Sequence, residues 1–243
     1  VNFQNQYRPG SFGHLPVVTK NIIIINVLMF IFKLVLQQQG INLDDYFGLH
    51  NHLSPNFKPH QFITYIFMHG DFSHIFFNML GVYIFGQVLE QIWGPKRYLI
   101  FYLLTGLGAA LVQYVIMHFQ ITDSLGIINS ELENNFMLSV RERSYLIDQK
   151  DILLRNAVVV GASGSLMGLL GGFGMLFPNR YIYIYFLFPI KAKWMVILYG
   201  AFEIFSGIQN DPNDPVAHFA HIGGLLVGVL LVLIWRKDRQ QFY

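Results

Sequence analysis

Two short motifs hold residues that could carry nucleophilic chemistry: Ser163 in Gly161-Ala162-Ser163-Gly164, and His221 in Ala220-His221-Ile222-Gly223-Gly224. A serine hydroxyl is a weak nucleophile at neutral pH until a base takes its proton, and neutral imidazole is the usual base. Such a pair performs acyl transfer. His74 and Asn78 are four residues apart, so they share a helix face and could offer side-chain N–H groups to an oxyanion. The Ser163 backbone N–H, near a helix N-terminus, would add a third donor and a favourable dipole. His218 is the competing base, ranked second because it stands nearer the preceding loop. No Asp or Glu lies in the outer halves of the three apolar stretches that carry these groups. A Ser-His dyad is therefore expected, and not a triad.

Taken singly, Ser163 reads as a helix-packing serine and His221 as a satisfied polar residue. Their frames change that balance. Ala157–Phe177 is 21 residues long without a charge, which suits a membrane-spanning helix. Gly164, Gly168 and Gly172 recur along it, with Gly171 and Gly174 beside them, while His221, Gly224 and Gly228 share one face of the last apolar stretch. Two faces reduced to backbone can dock closely. Docking here would bring hydroxyl and imidazole to one depth. Ser163 lies seven residues past Asn156, so one helical span would place it roughly 10 Å below the outer mouth. Polar groups at that depth require a water-filled cavity.

The elements around this pair read as six spans: about Asn21–Leu36, Phe72–Ile92, Tyr98–Phe119, Ala157–Phe177, Trp194–Ile208 and Val216–Trp235. Of the 243 residues 53% are hydrophobic and only 12% charged, against about a quarter charged in a soluble domain. The net charge of +2 gives no reason to expect a nucleic-acid partner, and the absence of cysteine excludes disulfides, thiolate metal sites and a cysteine nucleophile. Residues 1–20 and 236–243 read as tails around a domain at 21–235. Residues 41–68, aromatic and with Pro55 and Pro59, suit an outer loop lying in the membrane interface. Residues 120–156 form an outward insert, equally well a solvated loop or a surface helix with Leu132, Phe136, Val140 and Ile147 on one face. Lys and Arg concentrate at Lys96, Arg97, Arg180, Lys191, Lys193, Arg236, Lys237 and Arg239, which predicts that both termini are cytoplasmic. A small transporter would show paired carboxylates or an inverted repeat, and Glu203 is the only acid well inside a span. A zinc peptidase lacks its HExxH pair. No metal or cofactor is expected.

Together these motifs resemble the rhomboid family of intramembrane serine proteases. Gly161-Ala162-Ser163-Gly164 is similar to its GxSG nucleophile motif, His74-Ile-Phe-Phe-Asn78 to its HxxxN, and Ala220-His221-Ile222-Gly223-Gly224 to its catalytic-histidine motif. The resemblance covers about residues 20–236. It implies an all-α membrane protein, a six-transmembrane-helix bundle with an interfacial first outer loop. It also implies a Ser163/His221 dyad and an oxyanion site of His74, Asn78 and the Ser163 amide, with His69 hydrogen-bonding near that side. Gly161, Gly164, Met167, His218 and Gly224 would support the site. The implied partners are lipid and single-span membrane proteins, cleaved near the outer leaflet after entering between the second and fifth helices. Met167 stands where many members carry an aromatic residue, and His60-Gln61 where they carry Trp-Arg. Glu90 and Arg97 resemble a family pair tying the second and third helices together. An inactive, segment-binding member of the same fold is the alternative, although such members typically lack the serine or the histidine. The minimal six-span form and the lack of a transit peptide point by class to a bacterial inner membrane.

Overall fold

Apolar runs punctuated by glycine and proline become the helices of a bundle. The computed structural model describes residues 15–184, 188–209, 214 and 216–240; most of the expected N-terminal tail and the last three residues of the expected C-terminal one lie outside them. Helix α1 is Val17–Gln37, α2 is Phe72–Trp93, α3 is Pro95–Asn134 and α4 is Val140–Asn156. Helices α5, α6 and α7 are Ser163–Leu176, Ala192–Gln209 and His218–Gln240. Four of them, α1, α2, α3 and the His218–Trp235 part of α7, are long and apolar enough to cross a membrane. The remaining apolar stretches form α5, of 14 residues, and α6, of 18.

Helix α2 ends at Gly94, whose φ is +78°, and Pro95 opens α3 at once. Proline suits a first helical position because its missing N–H would have no partner there. Nothing then stops α3 for 40 residues. At 1.5 Å per residue that is about 60 Å, twice an apolar bilayer core. The insert is thus a continuation of α3 followed by the separate helix α4. A capping box starts α4, Ser139 accepting from the Glu142 amide while the Glu142 carboxylate accepts from the Ser139 amide. The single apolar face expected there is not formed. Phe136 lies in the connection, and Phe136, Val140 and Ile147 are all exposed.

The fourth span departs most from expectation. Residues 157–162 are not helical: β1 (Leu49–His50) pairs antiparallel with β2 (Val158–Val159), and Gly161 has φ +128°. Three consecutive valines, stiff at χ1, favour extended backbone, and glycine alone reaches that φ without strain. Helix α5 therefore begins at Ser163. The depth counted along one long helix is replaced by an extended approach to the helix start. A second ribbon, β3 (Tyr181–Ile184) with β4 (Phe188–Lys191), leads into α6, so the chain is mostly and not wholly helical.

The segment between α1 and α2 is stapled by Gln61, which is fully buried. Its amide donates to Asn56 O at 2.8 Å, and its oxygen accepts from the amides of Lys58 at 3.1 Å and His50 at 3.3 Å. Glu90 also ties α2 to α1. Its carboxylate accepts from the amides of Val18 (2.9 Å) and Thr19 (2.7 Å) and from the Thr19 hydroxyl (2.8 Å), capping α1 from outside. The Arg97 guanidinium lies over the Trp235 ring, 4.1 Å from its centroid, on α7. Tyr65, Tyr98, Phe101, Tyr102 and Leu169 fill the centre without exposure to solvent.

Candidate active site

Three helix starts converge on one spot. Ser163 opens α5, His218 opens α7 with His221 one turn on, and Asp71 caps α2, which carries His74 and Asn78. The Asp71 side chain accepts from the His74 amide at 2.9 Å. The Ser73 hydroxyl and then that amide hold the Asp71 carboxyl below its ordinary range. Charge at a helix N-terminus also favours the helix dipole. On α7, the Ala220 amide donates to Gln113 Oε1 of α3 at 3.1 Å, satisfying a first-turn donor.

The contact expected between the glycine faces is present. A Cβ on Gly224 would fall inside the Gly164 carbonyl oxygen, and one on Gly228 would come within 2.6 Å of the Gly168 carbonyl oxygen. The missing Cβ atoms of Gly164 and Gly168 themselves look toward Ala109 and Thr105 of α3. The α5 strip thus serves two neighbours at once. It presents carbonyls to α7 and bare Cα atoms to α3.

This docking leaves His221 Nε2 2.8 Å from Ser163 Oγ. In the tautomer with its proton on Nδ1, Nε2 accepts from the hydroxyl. His218 does not face the serine. Its Nδ1 is 2.6 Å from Glu203 Oε2 and its Nε2 3.0 Å from Asp214 Oδ2. The Val216 amide and then the His218 ring hold the Asp214 carboxyl below its usual range. The other oxygen of Glu203, Oε1, lies 2.9 Å from His221 Nδ1, off the axis of a well-aimed N–H···O bond. Such contacts are often loosely aligned before substrate binds. The expectation that no acid reaches the histidine is therefore corrected. The acid comes from the fifth apolar stretch, which carries neither motif. The signal was available, because an acid inside a span needs a partner, and two histidines were on hand.

The donors on α2 stand close by. Gly161 separates His74 from Ser163: a Cβ there would be 2.6 Å from His74 Nε2 and 3.6 Å from Ser163 Oγ. The Gly70 amide points at His74 Nδ1, 3.4 Å away, which leaves the proton on Nε2. Asn78 is buried, and its Nδ2 has no partner among the described residues. The first amides of α5 have no partner within the helix. His69 packs edge-on against His74, ring centroids 5.0 Å apart. Met167 is buried in the apolar core. Gly161→Ala would be strained at φ +128° and would press on the His74 ring. The expected result is a fall in kcat of roughly tenfold to a hundredfold, since misplacing a group by about 1 Å costs that much, read by cleavage kinetics with folding checked by circular dichroism.

The chain is similar to known proteins over most of its length. The chain is 29% identical over 231 residues to "Rhomboid-like protein 11, chloroplastic" of Arabidopsis thaliana, covering 85% of this chain and 65% of that protein. It is 28% identical over 227 residues to "RHOMBOID-like protein 12, mitochondrial" of the same plant, covering 93% and 60%. The chain thus spans somewhat under two thirds of the length of these two relatives. It is 21% identical over 232 residues to "Rhomboid protease AarA" of Providencia stuartii, covering 90% and 72%. The family model of the Rhomboid domain matches residues 56–238, from the segment before α2 into α7. The chain belongs to the rhomboid family.

Proposed function

We propose that this protein is an intramembrane serine endopeptidase with Ser163 as nucleophile and His221 as base. The observation that carries the reading is the 2.8 Å approach of His221 Nε2 to Ser163 Oγ across a glycine-to-carbonyl helix contact. Nε2 takes the hydroxyl proton as Oγ bonds to the substrate carbonyl carbon. The resulting oxyanion is met by His74 Nε2–H, Asn78 Nδ2–H and the Ser163 amide. His221 then gives the proton to the departing amine as the C–N bond breaks. The same nitrogen then deprotonates a water, whose oxygen bonds to the acyl carbon, and gives that proton to Ser163 Oγ as the ester C–O bond breaks.

The proposed setting is a bundle of six spans, α1, α2, α3, α5, α6 and α7, with residues 41–68 at the outer interface. The distribution of Lys and Arg favours both termini on the cytoplasmic side. Helix α5 is about 21 Å long at 1.5 Å per residue, shorter than the apolar core, which supports a nucleophile set below the outer surface. Single-span membrane proteins, entering between α2 and α6, are the substrates proposed. The test is a fluorophosphonate probe and a single-span reporter in liposomes. Ser163 is expected to carry the label by peptide mass spectrometry, and the reporter to be cut. Labelling elsewhere, or a bound reporter left whole, would favour the inactive, segment-binding alternative.

A further inference from the structure

Glu203 is 1% exposed, yet it is an acid on a helix whose other faces are apolar. Gly200, Glu203 and Gly207 are buried together on α6 and lie three and four residues apart, so they share one face. That face is the side α6 presses on α7. A Cβ on Gly207 would stand 3.3 Å from the His218 Cβ and 3.2 Å from the Phe219 ring, and one on Gly200 3.1 Å from Leu225. The glycines let the helices approach at the height of the carboxylate. His218 and His221 are one turn apart on α7, so a single carboxylate reaches both Nδ1 atoms, at 2.6 Å and 2.9 Å.

Pairing with His218 does not account for this carboxylate. His218 already has an acid at its second nitrogen, Asp214 at 3.0 Å. With His218 donating at both nitrogens, two carboxylates face one cation. One negative charge is left over, beside Nδ1 of the imidazole that must accept a proton. His221 is met by Ser163 from α5, Glu203 from α6, His218 on its own helix and, at longer range, His74 from α2. Among these, Glu203 is the anion.

Resting on the protease reading above, we infer that Glu203 is a positioning residue, completing a Ser163–His221–Glu203 triad in which His218 and Asp214 hold the carboxylate. It keeps the proton on Nδ1, so that Nε2 is free to accept from Ser163, and it stabilises the imidazolium once that proton has moved. A carboxamide in its place could present an N–H to Nδ1 and favour the wrong tautomer. The carboxylate itself touches neither substrate nor nucleophile.

The test compares wild type, Glu203→Gln and Glu203→Asp in liposomes. Glu203→Gln is expected to lower kcat by ~10²-fold or more, with KM moving by about twofold at most and the melting midpoint near wild type. Fluorophosphonate labelling of Ser163 should slow in parallel. Glu203→Asp, which keeps the charge, should recover part of the rate. If wild type cuts and Glu203→Gln cuts equally well, the positioning role is wrong while the protease reading stands. A lower melting midpoint with unchanged kcat per labelled site would also overturn it, leaving a structural ion pair. A wild type that neither cuts nor takes the label would remove both. One further measurement needs no variant: ¹⁵N NMR of the resting wild type should show His221 protonated at Nδ1, and an Nε2–H tautomer would refute the assignment.

Discussion

Ser163→Ala and His221→Ala should each lower kcat by ~10⁴-fold or more, and the double variant should lose no more than either single one. The expectation follows from the shared proton. Without the imidazole, the hydroxyl at 2.8 Å has no acceptor of its proton at the moment of attack. Without the hydroxyl, the imidazole has nothing to activate in that position. Groups that act as one unit are not additive when removed one at a time. Single-turnover cleavage of a reporter in liposomes measures the effect, with binding of the reporter confirming that the site is intact. Losses that multiply in the double variant would mean that the two residues act separately. If His218→Ala were dead and His221→Ala active, the base would be His218, against its present confinement between Glu203 and Asp214.

Gly224→Ala should combine a stability loss of about 3 kcal/mol, the upper end for overpacking, with a fall in kcat of ~10²-fold. The methyl group would occupy the space of the Gly164 carbonyl oxygen. Main chain cannot rotate away as a side chain can, so α7 must withdraw from α5. Gly164 follows Ser163 in the chain, and Gly224 is one turn from His221. Any withdrawal therefore lengthens the Oγ–Nε2 distance directly. Gly228→Ala is the control: its methyl would meet the Gly168 carbonyl at 2.6 Å, one turn farther from the pair. It should destabilise the protein while costing less in kcat. Thermal unfolding in bicelles and cleavage kinetics separate the two effects. A Gly224→Ala protein with wild-type midpoint and rate would show that the close approach is dispensable.

Much of this site could be read from residue order because its signals are local. A serine between glycines, histidine and asparagine four apart, and a histidine followed by spaced glycines each declare a face. The helix contact at Gly224 and Gly228 follows from those faces. What spacing could not reveal is relations between elements. Glu203 was visible as an isolated intramembrane acid, but its rotation toward α7 depends on how Gly200 and Gly207 pack. The Glu90 cap on α1 joins residues 71 and 72 apart, beyond any periodicity. The start of α5 was misplaced because an uncharged run of 21 residues fits a span by composition. Its valines and Gly161 instead favour an extended lead paired to Leu49–His50.

Glu203 belongs to a peripheral helix. Helix α6 packs chiefly on α5, α7 and the β4 strand, and Ile197, Leu198, Phe202, Phe205 and Ile208 face outward. The carboxylate is thus an electrostatic latch on a helix at the edge of the bundle. Swinging α6 away would leave the Glu203 anion without its imidazoles and His221 without an anion, at a cost of several kcal/mol. The same swing would disarm the nucleophile, because His221 would lose its anion just as the flank stood ajar. On the proposed mechanism, opening that flank and arming the serine would exclude each other.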